Sequence, residues 1–139
     1  MPKKPLTFID LFCGCGGFSW GLMRAGYQCV AAIDADGVAT QVFSENLSDF
    51  DHPKHKSAKN VLKRDITNFP PEDLAKLIEQ KRVDVIVGGP PCQGFSTARQ
   101  VDGANHGKRL KHDERRYLYQ HFLRYVEFFQ PKVFVMENV

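Results

Sequence analysis

The sequence predicts an α/β fold, a doubly wound and mostly parallel sheet with helices on both faces. Three observations predict it. Short apolar runs of strand type alternate with segments whose apolar residues recur at helical spacing. One of those runs, Val83–Val87, is rich in β-branched residues, as a strand covered on both faces should be. Two glycine clusters, around Gly14–Gly17 and Gly88–Gly94, directly follow strand-type runs, where sheets of this class bind their ligands. At 139 residues and 15.8 kDa the chain is at most one domain, long enough to bury a core without a metal or disulfide staple.

Each element has a local reason. Thr7–Phe12 is a short buried strand ending in glycines. Phe18 to Ala25 is helical, with Phe18, Leu22 and Ala25 on one face and Gly26 as its stop. Cys29–Ile33 is a second strand. Asp36 can cap a helix over Gly37–Leu47 that turns Val38, Val42 and Phe43 inward. Asp49–Lys63 is polar and reads as a surface loop, with Asp65-Ile66 closing a short third strand. Pro70 and Pro71 open a helix to about Lys81, with Leu74, Leu77 and Ile78 at helical spacing. After Val83–Val87, Gly88–Phe95 is a turn. Glu114–Phe129 is an aromatic-rich helix stopped by Pro131, and Lys132–Met136 is a last buried strand.

Composition narrows the function classes. With 42% hydrophobic and 25% charged residues the chain is globular rather than disordered. No apolar run reaches a bilayer span, and the N-terminus is too short and too acidic for a secretory signal, so an intracellular place and no membrane partner are expected. Four cysteines are few for a disulfide scaffold. Cys13-x-Cys15 has no second close pair and no histidine at ligand spacing, so no metal site is expected. The net charge of +3 is concentrated: Arg99–Arg116 holds six basic and three acidic residues, leaving the remainder neutral. Such a segment is either a solvated loop or a surface that meets a polyanion.

Three places carry chemistry. Phe12-Cys13-Gly14-Cys15-Gly16-Gly17-Phe18 joins a strand to a helix, where glycines let the backbone approach a ligand and a helix start offers free N–H groups. A nicotinamide fingerprint fails there, because Ser19 stands where its third glycine belongs, and no Gly-Lys-Ser/Thr follows for a P-loop. Asp34 ends the second strand, where doubly wound folds hold a ribose; Asp36 is the alternative but is better placed as a helix cap. A nucleoside ligand without a dinucleotide signature points to S-adenosylmethionine. The second place is Gly88-Gly89-Pro90-Pro91-Cys92-Gln93-Gly94-Phe95-Ser96. Its prolines stiffen a turn that carries Cys92, a candidate nucleophile whose basic neighbours could lower its pKa. The third is Glu137, a carboxylate just after the last strand and a candidate acid.

Taken together, Asp10-Leu11-Phe12-x-Gly14-x-Gly16-Gly17, Gly89-Pro90-Pro91-Cys92-Gln93-Gly94-Phe95-Ser96 and Glu137-Asn138-Val139 resemble the cytosine-C5 DNA methyltransferases in order and spacing, with Ala25-Gly26 and Asn46 also at typical places. The resemblance implies a Rossmann-like methyltransferase fold, incomplete at its C-terminal side. Residues 1–139 would be the N-terminal portion of the catalytic domain, without a target-recognition domain. It implies methyl transfer from S-adenosylmethionine to C5 of cytosine in double-stranded DNA, within restriction-modification. Cys92 would attack C6 of a flipped cytosine, and Glu137 would hold the ring at N3. Phe12, Gly14 and Gly17, with the backbone of Cys13 and Cys15, would line the cofactor pocket. Asp34 would bind the ribose, Asp65 and Ile66 would flank the adenine, and Gly89, Pro91 and Leu118 would close the methionine end. Ala35 stands where many relatives carry a larger residue against the adenine. Gln93 and Ser96 would face DNA. Residues 97–113 match a mobile loop that closes over DNA, giving Arg99, Lys108, Arg109 and Lys111 phosphate partners.

The family's later Arg-rich motif, target-recognition domain and final helix are missing here. The expectation is a chain inactive alone, working with a second polypeptide that supplies them, in the cytoplasm or nucleoid (the nucleus in a eukaryote). Two other readings stay open at this stage: an RNA cytosine methyltransferase, and a non-catalytic cofactor- or DNA-binding subunit. A nicotinamide oxidoreductase is a distant third.

Overall fold

The computed structural model describes residues 3–47, 58–91 and 117–138. Among the described residues, five strands and four helices alternate: β1 (Thr7–Leu11), α1 (Gly17–Arg24), β2 (Gln28–Asp34), α2 (Gly37–Leu47), β3 (Val61–Lys63), α3 (Pro71–Ile78), β4 (Val85–Gly88), α4 (Leu118–Phe129) and β5 (Val133–Met136). All pairings are parallel, in the order β3-β2-β1-β4-β5. The chain leaves the centre in one direction through β2 and β3, then returns to the other side of β1 with β4. The carboxyl ends of β1 and β4 therefore flank the switch point, where a crevice opens in sheets of this kind. The doubly wound expectation holds.

Alternation along the strands divides the core in two. Phe8, Cys29, Ala32, Val85 and Val87 pack with Met23 of α1 and with Phe43 and Leu47 of α2. Ile9, Leu11, Val30, Ile33 and Ile86 pack on the opposite face with Leu74 and Ile78 of α3 and with Phe122, Tyr125 and Phe129 of α4. The period of two places neighbours on opposite faces of the sheet. Tyr125 carries its hydroxyl into this apolar layer and donates it to the Phe69 carbonyl at 2.5 Å, which satisfies the only polar atom of the ring. Asp84, just before β4, accepts from the Thr7 N–H at 2.8 Å and pairs with Lys132 at 2.7 Å, tying the starts of β1, β4 and β5 together.

Several local expectations are corrected. On α1 the buried residues are Ser19 and Met23, while Phe18 is exposed and Leu22 half-buried. On α2, Phe43 is buried as expected, but Val38 is 70% exposed and Thr40 and Leu47 take the inner face. The third strand is Val61–Lys63, inside the stretch read as loop, and Asp65-Ile66 lies in the turn beyond it. Asn60 explains the shift: its side chain donates to the Val30 carbonyl at 2.9 Å and its own carbonyl accepts from Ala32, which starts the pairing with β2. The helix read to Lys81 ends at Ile78, because Glu79 adopts a left-handed conformation as its C-cap. Leu77 is exposed, and Ala75 is buried in its place. The strand read as Val83–Val87 is Val85–Gly88. Among the described residues the last strand pairs along one side only, and its four side chains are exposed rather than buried. The part of the predicted Glu114–Phe129 helix before Tyr117 lies outside the described residues, as do residues 48–57 of the predicted loop.

Candidate cofactor and catalytic site

The site is built where β1, β2 and β4 end. A cavity of about 370 Å³ opens there, lined by Phe12, Ile33, Asp34, Ala35, Arg64, Asp65, Ile66, Thr67, Gly89, Pro91 and Leu118. Its volume suits a small-molecule or cofactor site. Eight residues named from the sequence meet on its wall: Phe12, Asp34, Ala35, Asp65, Ile66, Gly89, Pro91 and Leu118. Sequence reasoning missed Ile33, Arg64 and Thr67. Ile33 is the strand residue just before Asp34, so its position was available from the pattern. Arg64 and Thr67 flank a turn whose shape no local motif announces.

The glycine turn contributes Phe12 to the cavity wall and holds Asp34 in place. Cys13, Gly14, Cys15 and Gly17 do not line the cavity. The Gly14 N–H donates to Asp34 Oδ2 at 2.9 Å, and the Asp36 N–H donates to Asp34 Oδ1 at 2.9 Å. The N–H of Gly14 is thus used to orient the Asp34 carboxylate rather than left for a ligand. The turn is also held by Cys13 N–H to the Ile33 carbonyl at 3.0 Å and by the Asn46 side chain to the Cys15 carbonyl at 3.1 Å. Phe12, the turn's contribution to the cavity wall, has φ 57, an uncommon conformation for a bulky residue that its surroundings must impose. Gly16 has φ 98, and a Cβ there would stand 2.9 Å from the Phe43 ring. The Cys13 thiol is buried, and burial pushes its pKa up, so it is no nucleophile. Asp36 is the cap, as expected, accepting from the Val38 N–H at 2.8 Å.

The far wall is equally specific. Asp65 Oδ1 accepts from the Thr67 N–H at 2.9 Å and from the Thr67 hydroxyl at 2.7 Å. The Thr67 backbone and side-chain bonds hold its carboxyl below the usual range. The cavity therefore combines apolar walls (Phe12, Ile33, Ile66, Pro91, Leu118) with two oriented carboxylates. With Arg64 also on the wall, that lining suits a ligand with a flat apolar base and hydroxyls to donate, as an adenosyl group has.

Gly88 and Gly89 join the cavity to the last strand. A Cβ on Gly88 would lie 2.2 Å from the Leu11 carbonyl oxygen, so β1 and β4 meet here closer than any side chain permits. The Glu137 N–H donates to the Gly88 carbonyl at 2.9 Å. Glu137 Oε2 stands 3.1 Å from where a Cβ on Gly89 would be. The Glu137 carboxylate thus lies against the Gly89-Pro90-Pro91 turn that forms part of the cavity wall and runs directly into Cys92. Cys92 itself, Gln93, Ser96, Arg99, Lys108, Arg109 and Lys111, with the rest of 97–113, lie outside the described residues.

Among the described residues no helix is long and apolar enough to cross a membrane. Comparison with known proteins agrees with the geometry. The M.DdeI type II methyltransferase of Desulfomicrobium norvegicum is 45% identical over 134 residues, 96% of this chain and 28% of that one. The M1.HphI type II methyltransferase of Haemophilus parahaemolyticus is 40% identical over 134 residues, 96% of this chain and 32% of that one. A solved structure described as a putative DNA modification methyltransferase encoded within a prophage of E. coli superposes with a TM-score of 0.72 at 33% identity, covering 96% of this chain and 32% of that one. The chain thus spans about a third of the length of these relatives. The family model for C-5 cytosine-specific DNA methylase matches residues 6–139, and the chain belongs to that family.

Proposed function

We propose that the chain is the cofactor- and nucleophile-bearing portion of a DNA cytosine-C5 methyltransferase of the restriction-modification type, acting where the DNA is, in the cytoplasm or nucleoid. One observation supports this most: Gly89 and Pro91 help line the 370 Å³ cavity that holds two oriented carboxylates, the Glu137 carboxylate stands against Gly89, and the residue after Pro91 is Cys92. When bound, S-adenosylmethionine supplies an electrophilic sulfonium methyl for C5 of cytosine.

In this reading Asp34 receives the ribose hydroxyls, and Phe12, Ile33 and Ile66 enclose the adenine, with Asp65 beside it. Gly89, Pro91 and Leu118 bound the methionine end. Ala35 offers only a methyl group on this wall, so the base is held mainly by those three apolar side chains. Cys92, as thiolate, adds to C6 of a cytosine taken out of the duplex, which raises electron density at C5. Glu137 holds a proton at N3 and spreads the charge that develops on the ring. Loss of the C5 proton and expulsion of the Cys92 sulfur restore the aromatic pyrimidine. Gln93 and Ser96 face the DNA, and Arg99, Lys108, Arg109 and Lys111 contact phosphates. Target recognition falls to the part of the relatives' length that this chain does not span.

The test is adduct trapping. DNA containing 5-fluorocytosine, incubated with S-adenosylmethionine, the chain and a polypeptide carrying the remaining portion of a close relative, should give a covalent complex through Cys92. Cys92→Ser should remove it. An unchanged adduct in that variant would overturn the assignment of the nucleophile. An adduct formed on RNA but not on DNA would move the substrate class.

A further inference from the structure

The first turn of α1 poses a capping problem. Its N-cap residue is Gly16, which has no side chain and offers no capping bond. Glycine is required there by φ 98 and by the Phe43 ring. Helix starts ordinarily satisfy the amide three residues on with an oxygen from the N-cap side chain. That amide belongs to Ser19, which is fully buried, so water cannot serve it. Asp10 is also buried, 1% exposed, and lies on β1 rather than on the helix. Its Oδ2 accepts the Ser19 hydroxyl at 2.6 Å, a side-chain bond that joins β1 to the first turn of α1.

We propose that Asp10, by holding the Ser19 hydroxyl from β1, ties the start of α1 in place where Gly16 can offer no side-chain cap, and so acts as the positioning residue that sets the shape of the glycine turn and the place of Phe12 in the cavity wall. The geometry supports this on both sides of the turn. Phe12 is two residues from Asp10 and has a positive φ, a conformation that persists only where its surroundings impose it. Ser19 is two residues beyond Gly17, where α1 begins. Asp10 and Ser19 therefore clamp the two ends of the turn, while Asp34, Asn46 and Ile33 hold its middle. The charged or titratable groups around Asp10 are Asp34, Cys13 and Cys29, none of them a cation. The Ser19 hydroxyl is accordingly the hydrogen-bond partner that Asp10 has.

The role rests on the cofactor reading only for its consequence in binding, so the test has two readouts. Amide hydrogen exchange reads the tie itself. In Asp10→Ala, exchange at Ser19, Gly16 and Gly14 should speed up about tenfold, the size of one lost buried hydrogen bond. Asp10→Asn, whose amide oxygen can still accept from Ser19, should stay within about threefold of wild type. If Asp10→Ala does not fold, Ser19→Ala, with a smaller acceleration at the same three amides, decides the question. Unchanged exchange in the alanine variants, or an Asn variant as fast as Ala, would overturn the proposal. Affinity for S-adenosylhomocysteine, measured by calorimetry well below the melting temperature, should follow the same order and fall about tenfold in Asp10→Ala. Altered exchange with unchanged affinity would overturn the part concerning Phe12. Wild-type protein that binds no S-adenosylhomocysteine would count against the cofactor reading, while the exchange data would still decide the tie.

Discussion

β1 and β5 are parallel strands of one sheet with similar apolar sequences, yet they finish very differently. Phe8, Ile9 and Leu11 of β1 have no exposed surface, and helices cover them on both sides. Val133, Phe134, Val135 and Met136 of β5 are 55%, 47%, 43% and 37% exposed, and their strand is bonded to β4 alone among the described residues. The carboxylates near these strands differ in the same way. Asp10 is sealed under the glycine turn, and burial, opposed in part by the bonds from Ser19, raises its pKa to about 7. Glu137 is exposed at the edge of the Gly89 turn. The lesson is that the carboxylate beneath the glycine turn is enclosed by the chain's own residues, whereas the Glu137 carboxylate stands at the margin of the sheet that the described residues form.

The comparison can be broken most severely at the junction of its two halves. Gly88→Ala would drive a methyl into the Leu11 carbonyl and should cost about 4 kcal/mol or more, seen as loss of the cooperative melting transition. A well-folded variant would show that β1 and β4 are not so tightly joined. Next come matched truncations along the two strands. Ile9→Ala should cost about 3 kcal/mol in urea unfolding, and Val135→Ala less than about 1 kcal/mol. Equal costs would mean that β5 is covered in solution and that the contrast is false.

The gentlest probe is pH. The folded chain holds the Asp10 proton more tightly than the unfolded chain, whose carboxyl titrates near 3.8. The stability this contributes is complete below about pH 3.8 and is lost as pH rises through about 7. Asp65 and Asp84, whose pKa values are lowered, contribute stability that is lost only as pH falls through the acid range. The melting temperature of wild type minus that of Asp10→Asn should therefore fall between pH 4 and 8. A flat difference would mean that Asp10 is not sealed from water.

Much of this was legible in the sequence because it depends on local chemistry. Asp36 as a cap, Gly26 as a helix stop and the strand-type runs each follow from residue type and spacing, and the first two appear as read, with φ 93 at Gly26. The resemblance of the motifs brought most of the cavity wall together before any coordinates. Three things resisted. The third strand at Val61–Lys63 forms because Asn60 bonds to β2, a contact 30 residues away in the chain. Arg64 and Thr67 reach the cavity through the turn after that strand. The apolar Lys132–Met136 run reads as interior because its composition says only that the strand suits burial, and the pairing on one side is a tertiary fact. The Asp10–Ser19 pair was also hidden, since Ser19 registered first as a missing glycine and only the fold shows what its hydroxyl meets.

The claim on which the account turns is that the cavity between β1, β2 and β4 holds the adenosyl cofactor, with Asp34 as its oriented polar contact. Titration of the chain with S-adenosylhomocysteine in a calorimeter tests this most directly. The account predicts one equivalent bound and an affinity about tenfold lower in Asp34→Ala, the loss of one charge-assisted hydrogen-bonding group. Binding that ignores Asp34→Ala, or a folded chain that binds none, would contradict it.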